Sequence, residues 1–178
     1  MQLTHAAPSR LVVLIQTNIR WLKQALQLVG RLDAATYAES RAGAHLRHVL
    51  EFYECFLDGM DSSHIDYDAR RRDETVESRP QAAEAKIRAI IRRLETDPLI
   101  RQERIVWVRM EDAETGGVRD VFMESSLSRE LQMLGSHTVH HYALVAMVLR
   151  PYGVEMAPEF GMAPSTLRYL AAKTAEAA

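Results

Sequence analysis

The stretch that decides the fold runs from Leu127 to Val148 and reads LSRELQMLGSHTVHHYALVAMV. Leu127, Leu131, Leu134, Thr138, His141, Val145 and Val148 recur at alternating steps of four and three. That spacing lines up side chains on one face of an α-helix. Ser125, Ser126 and Ser128 gather at its start and Pro151-Tyr152-Gly153 follows its end. Serine caps a helix start and Pro or Gly stops a helix, so both boundaries are signalled. A helix this long with one apolar face needs other helices to pack against.

Working outward, three more such faces are present. Leu11, Ile15, Asn18, Leu22, Ala25, Val29 and Leu32 form a seam after Pro8-Ser9, with Asn18 expected as a hydrogen-bonded core residue. Ala44, His45, Val49, Phe52, Tyr53 and Phe56 give an apolar face to a helix from about Tyr37 or Arg41 to Asp58, stopped by Gly59. Arg47, Glu51, Glu54 and Asp58 cluster on its other side. Ala83, Ile87, Ile90, Ile91 and Leu94 form the stripe of a helix opened by Pro80 and closed by Asp97-Pro98. Two short apolar runs, RIVWVRM from Arg104 and VRDVFM from Val118, flank the turn-rich EDAETGG and predict a β-hairpin over about 104–123. Residues 1–8 read as a loose lead-in, and 60–79 as a charged connection without helical period, long enough to suggest a function. A short helix is expected from about Pro164 to Lys173. The fold class is therefore all-α: an up-and-down four-helix bundle with a small β-hairpin insertion and a short C-terminal helix. It forms one domain over 1–178, with its core at about 9–175.

Apolar residues make up 47% of the 178 and charged residues 26%, with a formal charge of −2. These are globular values. A near-neutral chain lacks the positive surplus of a dedicated nucleic-acid binder, and acidic neighbours dilute the basic runs Arg70 to Arg72 and Lys86, Arg88, Arg92, Arg93. The single cysteine, Cys55, sits in an apolar run and reads as a buried thiol rather than a nucleophile. No secretory signal or membrane span is visible, so a soluble cytoplasmic protein is expected.

Five of the seven histidines fall on two helices: His45 and His48 on one, His137, His140 and His141 on the other. Residues four apart on a helix are separated by about 40° around its axis and about 6 Å along it. His137 and His141 can therefore face one ion, while His140 points outward. His5 and His64 lie elsewhere. A third imidazole from the facing helix would complete a three-histidine site with an open position, the pattern of catalytic zinc. Nickel, iron or manganese suits such a donor set too. Periodicity does not choose between His45 and His48.

GAHLRHVLEFY from Gly43 to Tyr53, SHTVHHYA from Ser136 to Ala143, and the loop IDYDAR from Ile65 with Arg72 together resemble the DinB-like (DinB/YfiT-type) superfamily of metalloenzymes, in an uncharacterised branch of it. The similarity covers roughly residues 9 to 175, and the order and separation of the motifs match. The resemblance implies a four-helix bundle with a divalent-metal site whose ligands are His48, His137 and His141. It further implies a thiol-dependent S-transferase or isomerase, and a metal that lowers the pKa of a bound water adds a hydrolase to the expected reactions. A small-molecule substrate, a low-molecular-weight thiol and pairing with a second copy of the chain are its implied partners. Two departures stand out: Arg41 replaces a small capping residue, and Phe52 stands where the branch has a further histidine.

Glu51 is a candidate base or outer partner of a ligand, against the reading of a solvated helix residue. Asp66, Tyr67, Arg70 and Arg72 are candidate substrate-binding residues if their loop folds over the bundle mouth. Arg71 reads as part of a salt-bridged surface, and Arg129-Glu130 as a pairing partner for the loop. Trp107, Tyr67, Met156 and Met162 are candidate pocket walls, against plain core filling. The competing function is a non-catalytic metal- or ligand-binding helical bundle.

Overall fold

The computed structural model describes residues 9–110 and 121–176. The expected lead-in, the EDAETGG turn and the first half of the expected second strand lie outside the described residues. The chain is mostly helical: α1 (Arg10–Val29), α2 (Ala34–Glu39), α3 (Ala42–Asp58), α4 (Glu74–Ser78), α5 (Pro80–Thr96), α6 (Leu127–Leu149) and α7 (Pro164–Glu176). Three short strands, β1 (His64–Asp66), β2 (Ile105–Arg109) and β3 (Met123–Ser126), form one sheet in that order.

The seams read from the sequence are buried. All seven positions of the α1 seam and all five of the α5 stripe are in the core. On α6, Leu127, Leu131, Leu134, Thr138 and Val145 are buried as expected, whereas Val148 is only partly so and Tyr142 and Leu149 are buried instead. A straight helix of 3.6 residues per turn drifts off a strict seven-residue repeat, so the buried stripe moves to the next position along.

α1 packs against α5 and α6, and α3 packs against the same two helices. α1 and α3, consecutive among the long helices, scarcely touch, and neither do α5 and α6. The neighbour order of a simple up-and-down arrangement is thus corrected. The steps that cross the assembly are 30–41, which carries α2, and 97–126, whereas 59–79 joins the packed neighbours α3 and α5.

The sheet differs from a lone hairpin. β2 pairs antiparallel with β3, Ile105 opposite Ser126 and Val108 opposite Met123. β1 adds in parallel on the other edge, His64 opposite Trp107 and Asp66 opposite Arg109. Of the described part of the expected second strand only Met123 is in β3, which runs on to Ser126, whose hydroxyl also caps α6 by accepting from Arg129 N. β1 has only three residues, too few for a periodic signal.

A buried polar cluster ties α1, α3 and α6 at one level. Asn18 Nδ2 donates to Leu14 O and Leu131 O, both at 2.9 Å, and Asn18 Oδ1 accepts from the Tyr53 hydroxyl at 2.6 Å. Tyr53 also meets the Thr138 hydroxyl at 3.1 Å. α3 is preceded by Arg41 at its N-cap, whose φ of 64° is left-handed. After α6 the chain folds back along it. Phe160 stacks on Tyr142 at 4.8 Å, and Gly161, at φ 72°, lies where a Cβ would meet Ala143 N at 2.5 Å. No helix of the described residues is long and apolar enough to cross a membrane.

Candidate metal centre

α3 and α6 are neighbours, and their apolar faces are interrupted at matching heights by imidazoles. His48, His137 and His141 each offer one nitrogen, and the three nitrogens lie within 4.8 Å of one another. His48 Nε2 is 3.1 Å from His137 Nε2. Two nitrogens held tetrahedrally by one ion at roughly 2.0–2.1 Å stand about 3.3–3.4 Å apart, so the pair fits with a small adjustment. All three side chains are half-buried.

The protonation state suits ligation. Burial, then His141 and Arg70, pushes His48 from the usual 6.5 to about 4. Burial, then His48 and His140, does the same to His137, which also falls to about 4. Burial, then His137 and His45, takes His141 to about 4. At neutral pH the rings are uncharged, the form that binds a divalent cation.

His45 stands next to the triad. Its Nδ1 is 3.2 Å from His141 Nδ1, which suits an outer hydrogen-bond partner that orients the ring and fixes its tautomer. His140 is exposed and meets His141 only edge-on. His64 is exposed on the sheet beside Phe122. His5 lies outside the described residues. Phe52 packs on both His137 and His48, with ring centroids 4.2 and 4.9 Å apart. A phenyl ring there helps bury the imidazoles.

The charged connection does cross this region. Tyr67 is buried, stacks on Phe52 at 5.0 Å, and donates its hydroxyl to Glu130 at 2.9 Å. Glu130 is fully buried and also accepts from Ser125 at 2.6 Å and Arg129 at 2.9 Å. The pairing of Arg129-Glu130 with the loop therefore runs through Tyr67. Asp66 pairs with Arg109, and Asp73 N donates to Glu51 at 2.8 Å. Pinned at both ends, the loop places Arg70 Nη1 2.6 Å from His48 Nδ1. Arg72 is exposed, and Arg71 faces Asp58 at 3.9 Å.

Two expectations change. Glu51 is not a solvated helix residue: it is 1% exposed, and both oxygens accept from Arg47 at 3.1–3.2 Å. A single carboxylate on a polar helix face gave no sign that α4 and the loop would cover it. Of the candidate pocket walls, Trp107 is exposed on the sheet, Met156 packs at the edge of the core, Met162 is half-buried, and Tyr67 reaches the site. A cavity of about 390 Å³ instead opens between α1, α6 and the start of α7, lined by Leu14, Trp21, Leu131, Gly135 and Val139. Of the described histidines only His140 lines it. Cys55 is half-buried, and burial followed by Asp66 raises its thiol to about 11, as an inert side chain requires. The pairing of Glu130 with the loop was expected, but its full burial and the contact of Arg70 with His48 were not, since neither has a periodic signature.

No family model matches the chain, and no solved structure matches it. FK506-binding protein 5 of Rhizopus delemar is 28% identical over 106 residues, which are 60% of this chain and 27% of that protein. The chain thus spans about a quarter of the length of the relative it matches.

Proposed function

We propose that the protein is a divalent-metal-dependent enzyme of the DinB-like kind, a hydrolase or a thiol-dependent S-transferase or isomerase, built on a four-helix bundle of α1, α3, α5 and α6. The convergence of His48, His137 and His141 carries this reading. Zinc or nickel suits three imidazoles best, with iron or manganese as further candidates. When bound, such an ion supplies Lewis acidity and lowers the pKa of a water or thiol nucleophile.

The chain's own residues bind, orient and shield. His45 orients His141, Phe52 and Tyr67 wall the site from solvent, and Arg70 supplies positive charge at the mouth. Glu51 holds Asp73 and thereby the loop, so its role is positioning. Cys55 keeps its proton, so the nucleophile comes with the substrate or solvent. A small-molecule substrate in the cytoplasm and a homodimer complete the proposal. Its test is elemental analysis of protein purified without an affinity tag. About one equivalent of zinc or nickel per chain supports it, and metal content unaffected by removal of the three histidines refutes it.

A further inference from the structure

His48 faces two groups that make opposite demands on it. Arg70 Nη1 is 2.6 Å from its Nδ1. A guanidinium carries donors and no acceptor, so Nδ1 accepts and the ring proton sits on Nε2. That nitrogen faces His137 Nε2 at 3.1 Å. Ligation of an ion through Nε2 needs the reverse tautomer, with the proton on Nδ1. Nδ1–H and the guanidinium would then meet donor to donor, and the ion's charge would add repulsion. A ligating imidazole ordinarily gives this proton to a carboxylate, carbonyl or water. Here the neighbour has the wrong sign.

Arg70 has a way out. Its Nε donates to Tyr67 O at 3.0 Å, and the guanidinium lies 5.1 Å over the Phe52 ring. Tyr67 is fixed to Glu130 and Asp73 to Glu51, so the loop itself stays in place. The head group can turn off His48 without leaving the mouth of the site.

We propose, resting on the metal reading, that Arg70 and a divalent cation are alternative partners of His48, and that the displaced guanidinium binds the anionic group of the substrate beside the centre. The substrate class is then a small molecule carrying a carboxylate or phosphate within reach of the ion. Metal and anion bind with positive coupling, because an anion that holds Arg70 away from His48 favours the ligating tautomer.

The test is a cobalt titration, followed by visible absorption, of the full chain and of R70A and R70Q, each with and without inorganic phosphate. Both variants are expected to bind cobalt about tenfold tighter than wild type in phosphate-free buffer, the Gln amide oxygen being able to accept from Nδ1–H. Phosphate is expected to tighten cobalt binding to wild type relative to either variant by about tenfold. Cobalt complexation by phosphate in solution is common to all three proteins and cancels. Circular dichroism establishes that each variant folds, and R70Q preserves a polar side chain if R70A does not. Equal cobalt affinity in all three proteins, or an equal effect of phosphate on them, overturns the proposal while leaving the metal reading intact. Failure of all three proteins to take up cobalt, with and without phosphate, overturns both.

Discussion

His48 Nε2 and His137 Nε2 stand 3.1 Å apart although 89 positions separate them in the chain. Only the packing of α3 on α6 brings them together, so the site reports on the register between those helices.

Replacement of His48, His137 or His141 with Ala is expected to weaken zinc binding by at least about 100-fold, and His45→Ala by about tenfold, since an outer partner affects affinity less than a ligand. His140→Ala should leave it unchanged. Equilibrium dialysis with elemental analysis gives all five values. Loss of binding in the His45 variant with retention in the His48 variant would move the site one turn earlier on α3.

Acid should destabilise EDTA-treated protein well above the range where carboxylates titrate. The three histidines have folded pKa values of about 4 against about 6.5 unfolded. The unfolded chain therefore binds protons first as pH falls below about 6.5, and the loss grows until about 4. Stability is full above 6.5. Urea midpoints at pH 7.5 and 5.0 should differ, and the difference should shrink in the triple His→Ala variant; equal midpoints for wild type would contradict the buried, neutral state.

Tyr67→Phe should cost about 1–3 kcal/mol, because it removes one of the donors to the buried Glu130 carboxylate. Thermal melting, together with proteolysis of the 67–73 segment, is the measurement. A variant as stable and as protected as wild type would show that the loop does not depend on this anchor.

Arg41→Asn should stabilise the protein by about 1 kcal/mol. A non-glycine side chain at φ 64° is strained, and Asn tolerates the left-handed region better. The melting temperature should rise by about 2–4 °C. A fall would mean that the Arg41 side chain contributes more than its backbone costs.

The long helices were readable because burial on one face leaves a period that survives in a single sequence: Leu11 to Leu32 and Ala83 to Leu94 are buried as spaced. The histidine pair on α6 was readable for the same reason. The contribution of His48 rather than His45 came from resemblance, and the geometry places His45 close enough to explain why spacing alone did not separate them. β1, Glu130 and Arg70 depend on contacts across 22 to 63 positions, such as Arg70 with His48, His64 with Trp107 and Tyr67 with Glu130. Such contacts leave no local pattern. The helix order was likewise hidden, since periodicity says which face is buried and not which neighbour buries it.

The Asn18–Tyr53–Thr138 cluster bears on how the chain can change over generations. Aliphatic side chains slide past one another with little preference for height, whereas this cluster is satisfied at a single offset of the three helices. A slip of one turn, about 5.4 Å, would strand an amide and a phenol in an apolar interior. The cluster therefore works as an alignment key. With it intact, the surrounding leucines and isoleucines are free to drift by substitution while the imidazoles on α3 and α6 stay opposite one another. The chemistry at the mouth can diversify without the scaffold having to be solved again.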